Sequence, residues 1–265
     1  PDFLTGATAK SLSGFQYPPL DAAPRVIIEP SFYYMVLGEY PPAGETQLIS
    51  EADIERARER WDLYVARYGE VPPAGVKPRL GLDVAEFGVD ENALCTRWGG
   101  FVGRFQTWGG VDAETSSLRV LDYHDNVLGG RDNVELVLVD ATGYGSVVAP
   151  YLSRRKVRAV PVKFSERPLP HVKSDLGEFK SIRDQLWWMI REWLKTDTAM
   201  LPPDPVLIEE LMVPTYSIPM DGKIHISSKD EMKQRLGGRS PDRAESLGLT
   251  LLPINRAKVR RIAAG

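Results

Sequence analysis

The stretch NVELVLVD, residues 133–140, constrains the fold more than any other. Leu136 to Val139 are four consecutive apolar β-formers with no polar face, so the strand is buried on both sides. Such a strand needs a layer above it and a layer below it, and in α/β proteins helices supply them. The flanking sequence agrees. "ATGYG" turns into a helix running through about Arg155. "VRAVPVKF" follows as a strand, and its Pro161 argues for a sheet edge or a strand end. Upstream, "RLGLDVAEFG" reads as a strand with an acid inside it. "NALCTRWGG" and "FVGRFQTWGG" are two more short strands bounded by glycines, consistent with antiparallel neighbours. Residues 113–128 read as a helix. Residues 175–196 read as a stronger one, with Phe179, Ile182, Leu186, Met189, Ile190, Trp193 and Leu194 on one face. Asp204 and Pro205 supply an N-cap and a first-turn proline for a helix to about Val213. "YSIPMDGKIHISS" reads as a hairpin turning at Asp221-Gly222. Ser240-Pro241 opens a last helix by the same cap-and-proline logic. The order predicts an α/β fold: a mixed sheet, three antiparallel strands then parallel ones, flanked by helices.

Residues 1–48 show little periodicity beyond the apolar run Tyr33 to Leu37. Ser50-Glu51-Ala52-Asp53 resembles a capping box, and Ile54, Ala57, Trp61, Tyr64, Val65 and Tyr68 follow at helical spacing. Gly69 and "VPPAGVKP" end that helix. The expected organisation is an upstream segment with its helix over 1–70, a linker over 71–78, a main domain over 79–255 and a basic tail over 256–265.

Composition excludes several chemistries. The single cysteine, Cys95, rules out an internal disulfide framework and a Cys-based zinc site. His124, His171 and His225 lie far apart and form no ligand pair, so any metal site would be built from carboxylates and take a hard cation. No apolar run is long enough for a membrane span, and no export leader opens the sequence. The net charge of -3 gives no global sign of nucleic-acid binding, so such binding must come from local patches.

Three acids stand out by context. Asp83 lies between Leu82 and Val84 in an apolar strand, where an unpaired carboxylate is costly. Asp140 ends the buried strand and Asp242 sits in the first turn of the last helix. Singly, Asp140 is explained by an Asx-type turn and Asp242 by the helix dipole. Together, on one side of a sheet, three carboxylates repel each other unless cations neutralise them. Mg²⁺ or Mn²⁺ suits an all-oxygen set, and two such ions about 4 Å apart support phosphodiester cleavage.

"GLDVAEFGVDENAL", "LVDATGYGSVV" and "ISSKDEMKQRLGGRSPDRAESLGLTLL" resemble, in order, the three blocks of the nuclease domain of tailed-phage terminase large subunits. "FKSIRDQLWWMIREWLK" and "LIEELMVPTYSI" are similar to the segments between them, and "VLGEYPP" to the stretch leaving the ATPase domain. The resemblance implies a ribonuclease H-like fold and an endonuclease that cuts concatemeric viral double-stranded DNA during packaging. It implies two Mg²⁺ or Mn²⁺ ions on Asp83, Asp140 and Asp242. It also implies a terminase small subunit, a portal and an ATPase domain as partners, and the host cytoplasm as location. Residues 1–70 then correspond to the ATPase-side end. No G-x-x-x-x-G-K-[ST] occurs, so no ATPase activity is expected from this chain alone. Glu86 departs from the family, which commonly has a basic residue there; it reads as solvent-facing.

Weaker signals have bland readings. Gly143-x-Gly145 is a poor dinucleotide fingerprint and reads as a tight turn beside Asp140. Trp187 and Trp188 fit core packing better than base stacking. Lys229, Lys233, Arg235, Arg239 and Arg243 flank Asp242 and are candidate DNA contacts; by its place beside the hairpin, the resemblance implies that Lys229 stabilises the leaving phosphate or tunes metal occupancy. The basic runs at 154–158 and 256–261 read first as solvated faces. The competing functions are a junction-resolvase or transposase-like nuclease, a nucleotide-binding half of kinase type, and a non-catalytic docking domain.

Overall fold

The computed structural model describes residues 15–17, 25–27, 46–85, 91–170, 172 and 174–254. The Tyr33–Leu37 run, "VLGEYPP", Glu86, His171 and the tail from 256 lie outside these. The chain divides into two compact units, residues 1–46 and 47–265. In the first, β1 (Phe15–Tyr17) and β2 (Arg25–Ile27) pair antiparallel.

The second unit is built on β4 (Arg79–Asp83), β5 (Asn92–Trp98), β6 (Phe101–Val102), β7 (Gln106–Trp108), β8 (Leu136–Asp140) and β9 (Ala159–Val162). The strand order is β6-β5-β4-β8-β9, with β7 also on β5. β4 and β5 are antiparallel, whereas β4, β8 and β9 run parallel. The mixed sheet expected from the sequence is therefore present, with β9 and its Pro161 on the edge. All five residues of β8 are buried. Leu136 and Leu138 enter one core and Val137 and Val139 the other, as a strand covered on both faces requires.

Helix α1 (Glu51–Tyr68) is capped by Ser50, whose side chain accepts from the Asp53 amide. It buries Ile54, Ala57 and Trp61, and Trp61 Nε1 donates to the Val102 carbonyl at 2.9 Å. The compact unit thus begins at Gln47, not at 79. An apolar stripe along α1 packs it into the core, so it does not stand apart as a linker helix.

One sheet face carries α2 (Ala113–Asp122), continued by a π-helical turn over Tyr123–Val127, and α3 (Gly145–Arg154). The other carries α4 (Ile182–Leu194), α5 (Pro205–Met212), α6 (Lys229–Arg235) and α7 (Asp242–Leu251). Trp187 and Trp188 are both buried there, as core packing predicts. A small second sheet has the order β10-β12-β11-β3. Its strands are β10 (Glu178–Phe179), β12 (Lys223–Ile226), β11 (Thr215–Ser217) and, at the unit boundary, β3 (Thr46–Gln47).

Three local expectations are corrected. The helix expected over 175–196 starts only at Ile182, because Ser181 caps it and β10 occupies the stretch before. Asp83 ends its strand instead of lying within it. Ser240 does not cap the last helix: Pro241 holds the cap position without a side-chain bond.

Helix α7 is instead held from outside at both ends. Its Ala244 amide donates to the Glu210 carboxylate of α5 at 2.7 Å. At the other end Arg97 donates to the Thr250 carbonyl at 2.7 Å and Arg79 to the Leu252 carbonyl at 2.8 Å. Both arrangements complement the helix dipole. α7 approaches β4 closely because Gly81 has no side chain; a Cβ there would collide with the Ser246 carbonyl oxygen. Among the described residues no helix is long and apolar enough to cross a membrane.

Candidate active site

The parallel register that pairs Leu82 with Val139 puts Asp83 and Asp140 next, side by side at the carboxyl ends of β4 and β8. Ligands of open α/β sheets bind at such ends. α7 crosses the same region and presents Asp242 as its first residue. All three acids line one cavity of about 460 Å³, together with Thr142, Gly143, Ser165, Arg183, Lys229 and Lys233. The turn after β8 passes tightly under Asp140: a Cβ at Gly145 would strike the Asp140 carbonyl oxygen. The Asx-turn reading of Asp140 also holds, since its Oδ1 accepts from the Thr142 amide at 3.0 Å and the Thr142 hydroxyl at 2.8 Å.

The environments of the acids differ. Asp83 is 3% exposed and its Oδ2 has no hydrogen-bond partner among the described residues. Burial drives its pKa well above the ordinary value; the Lys229 charge opposes this, while Asp242, Glu245 and Asp140 push it further up. Burial also raises Asp140, against its two bonds from Thr142. Glu245, one turn after Asp242, is fully buried and behaves oppositely. Burial alone would raise it, but Arg183 and Lys229 hold it below its usual value. Arg183 Nε donates to Glu245 Oε1 at 2.8 Å, and Lys229 Nζ lies 3.5 Å from Oε2. Burial disfavours the Lys229 charge, but Glu245, Asp83, Asp242 and Asp140 outweigh it and raise its pKa. The floor of the cleft is therefore a mixed cluster in which Lys229 faces four carboxylates.

The remaining basic candidates disperse. Lys233 lines the cavity. Arg235 donates to the Val213 carbonyl and Thr215, Arg239 pairs with Glu209, and Arg243 pairs with Asp204. Sequence reasoning missed Arg183, Glu210 and helix α6. The last carried a readable signal, since Ser228 and Glu231 form a complete capping box. Arg183 and Glu210 carried none, because their roles depend on partners 62 and 34 residues away.

No protein-family model matches the sequence, and no curated protein does. Solved structures do match in shape. The nuclease domain of the large terminase subunit of bacterial virus Sf6 superposes with a TM-score of 0.60 at 20% identity, over 79% of this chain and 100% of that one. A variant of the same Sf6 protein with calcium gives 0.61 at 19% identity, over the same shares. This chain has the fold of a terminase nuclease domain. That fold is a mixed α/β, ribonuclease H-like arrangement of sheet and flanking helices, as the sequence resemblance implied.

On this terminase nuclease fold the buried acids predict a pH dependence. Glu210 is buried, and its pKa is pushed up to about 8 from the ordinary 4.5; the bond from Ala244 opposes this and Asp242 adds to it. Between those values the folded state binds more protons than the unfolded one, so stability falls as pH rises. Asp83 and Asp140, raised likewise, contribute the same sign. Glu245, lowered, acts only below 4.5, where stability is lost as pH falls. Thermal melts without metal should show a midpoint that declines from pH 5 to 8. A flat or rising midpoint would contradict the burial of these carboxyls.

Proposed function

We propose that the chain is a divalent-metal-dependent endonuclease that cuts concatemeric viral double-stranded DNA during genome packaging. The carrying observation is the convergence of Asp83, Asp140 and Asp242 on one cleft at the carboxyl end of the sheet, with Asp83 Oδ2 buried and unpartnered. An orphaned carboxylate oxygen among like charges is a position that a hard cation satisfies. Among the described residues no three acids, histidines or cysteines form a group that could hold a metal ion by themselves. An ion at Asp83, Asp140 and Asp242 would have to complete its shell with oxygens from water and a phosphate, which suits Mg²⁺ or Mn²⁺. The Sf6 domain, similar in fold, has been solved with manganese and with calcium, which supports the choice of ion class.

Asp83, Asp140 and Asp242 would hold one or two ions. Bound there, such ions activate water and offset charge on the departing oxygen. Lys229 supplies the positive charge that balances the acids and is placed to meet a phosphate entering the cleft. Lys233, on the rim, adds an electrostatic contact to the backbone. Within the packaging machine the chain would meet the terminase small subunit, the portal and its own ATPase domain, in the host cytoplasm.

Plasmid nicking with Mg²⁺, with Mn²⁺ and with chelator tests the reading. Cleavage with either ion and none with chelator is expected, and inertness in all three sinks it. Binding should be sequence-tolerant and fall with salt at about 0.9 log units per phosphate neutralised. Lys233→Glu should reduce that slope by about one contact. An unchanged slope makes Lys233 a bystander.

A further inference from the structure

Helix α7 starts without a cap of its own. Pro241 holds the cap position, makes no side-chain bond, and is followed at once by Asp242. A first turn of this kind exposes amides that need acceptors. The acceptor comes from α5. Glu210, 2% exposed, takes the Ala244 amide at 2.7 Å, two residues after Asp242. The same helix α5 offers a second hold, because its cap residue Asp204 pairs with Arg243. α5 thus grips both residues that follow Asp242, by two carboxylates one and a half turns apart.

Nothing in capping alone requires a buried glutamate here. Ala244 is itself buried, so solvent cannot serve its amide, but a serine at the cap position in place of Pro241 would. A carboxylate placed beside Asp242 and Glu245 even opposes its neighbours electrostatically. Its position is explained if the first turn of α7 must be fixed from outside so that the Asp242 side chain faces the cleft. Glu210 also lines a second cavity, of about 370 Å³, which shares Asp242 with the first. Asp242 therefore stands on the wall between two cavities, with Glu210 behind it.

We propose that Glu210 is a positioning residue for the metal-binding acid Asp242, acting through the Ala244 amide and not by touching the ion. This rests on the nuclease reading above. It distinguishes Glu210 from Glu245, which is locked to Arg183 and Lys229.

The test is Mn²⁺ calorimetry on the full chain, combined with the Mn²⁺ dependence of plasmid nicking. Glu210→Ala should weaken Mn²⁺ binding about 10-fold, the lower end of the effect of removing a residue that orients a metal ligand. The half-saturating Mn²⁺ for nicking should rise in parallel, while the rate at saturating Mn²⁺ returns to near the unsubstituted level. Glu210→Gln keeps an oxygen for the Ala244 amide and should restore most of the affinity. Should Glu210→Ala fail to fold, Glu210→Asp keeps charge and most of the volume but falls short of the amide, and carries the same expectation. Unchanged affinity in a folded Ala or Asp variant overturns the role of Glu210 and leaves the nuclease reading standing. A Gln variant as weak as Ala also overturns it, since the charge and not the cap would then matter. Absence of Mn²⁺ binding by the unsubstituted protein overturns both.

Discussion

Asp83→Asn should reduce metal-dependent cleavage by on the order of 10²–10³-fold, the scale of losing one preorganised electrostatic group, while the folded protein becomes no less stable. The two halves of this result come from one fact. Asp83 is buried with an unpartnered oxygen, and three other carboxylates raise its pKa. In metal-free protein its charge is a cost, so a neutral amide of the same shape relieves repulsion. On the proposed reading the same charge would be a metal ligand, and the amide a poor substitute for it. Asp140→Asn and Asp242→Asn should lose activity similarly. Asp140 carries more risk of destabilisation because it anchors the turn at Thr142. Nicking assays and thermal melts on the same preparations decide the matter. If Asp83→Asn unfolds the chain, the carboxylate was holding the end of β4 in place. If Asp242→Asn cuts normally, the third ligand lies elsewhere.

Glu245→Gln should do the reverse. Glu245 is fully buried and bonded to Arg183, whose side chain is 14% exposed. Removing one member of a buried ion pair leaves the other charge uncompensated, which costs about 3–5 kcal/mol. For a unit of this size that corresponds to a fall of roughly 6–20 °C in the thermal midpoint. Lys229 loses a partner at Oε2 as well, and the Trp187 indole N–H, 3.4 Å from the Oε1 that Arg183 also bonds, meets a weaker acceptor. A midpoint within 2 °C or so of the unsubstituted protein would mean that solvent already screens the pair. Two acids one helical turn apart on α7 thus have opposite expected signatures, activity without stability at Asp242 and stability at Glu245.

The parts of the fold that follow from local pattern were legible. The unbroken apolar run of β8 demanded two covering layers, and the face from Ile182 to Leu194 gave α4. Asp204 with Pro205 gave the start of α5. Of the cleft acids only Asp83 breaks a local rule, beside apolar neighbours; Asp140 at a turn and Asp242 at a helix start obey theirs and stand out only when the three are taken together. What could not be read depends on tertiary contact. Arg183 looked like any charged helical residue until Glu245 appeared opposite it. Glu210 carries no local mark, because the amide it serves lies 34 residues on. Ser240 resembled a cap because Ser-Pro is a common opening, yet the acceptor came from another helix. The seven residues of α6 were too few to show periodicity, although their capping box was in view. The proline-rich stretch after α1 looks like a linker, whereas Trp61 packs that helix into the core.

The two-ended grip on α7 bears on when the cleft comes into being. This helix has ten residues, too few to hold together alone in water. Its ends are secured by Arg79, Arg97 and Glu210, which the ribosome delivers well before it. Asp83 and Asp140 are likewise made early, but the wall that carries Asp242 waits for the last described helix. During synthesis the third acid is therefore the last of the three to arrive, together with the core residues Ala244, Leu247 and Leu249 of its helix. A nascent or C-terminally clipped molecule would have two of its three acids and no third. The docking of one short helix is the event that brings the third acid to the other two.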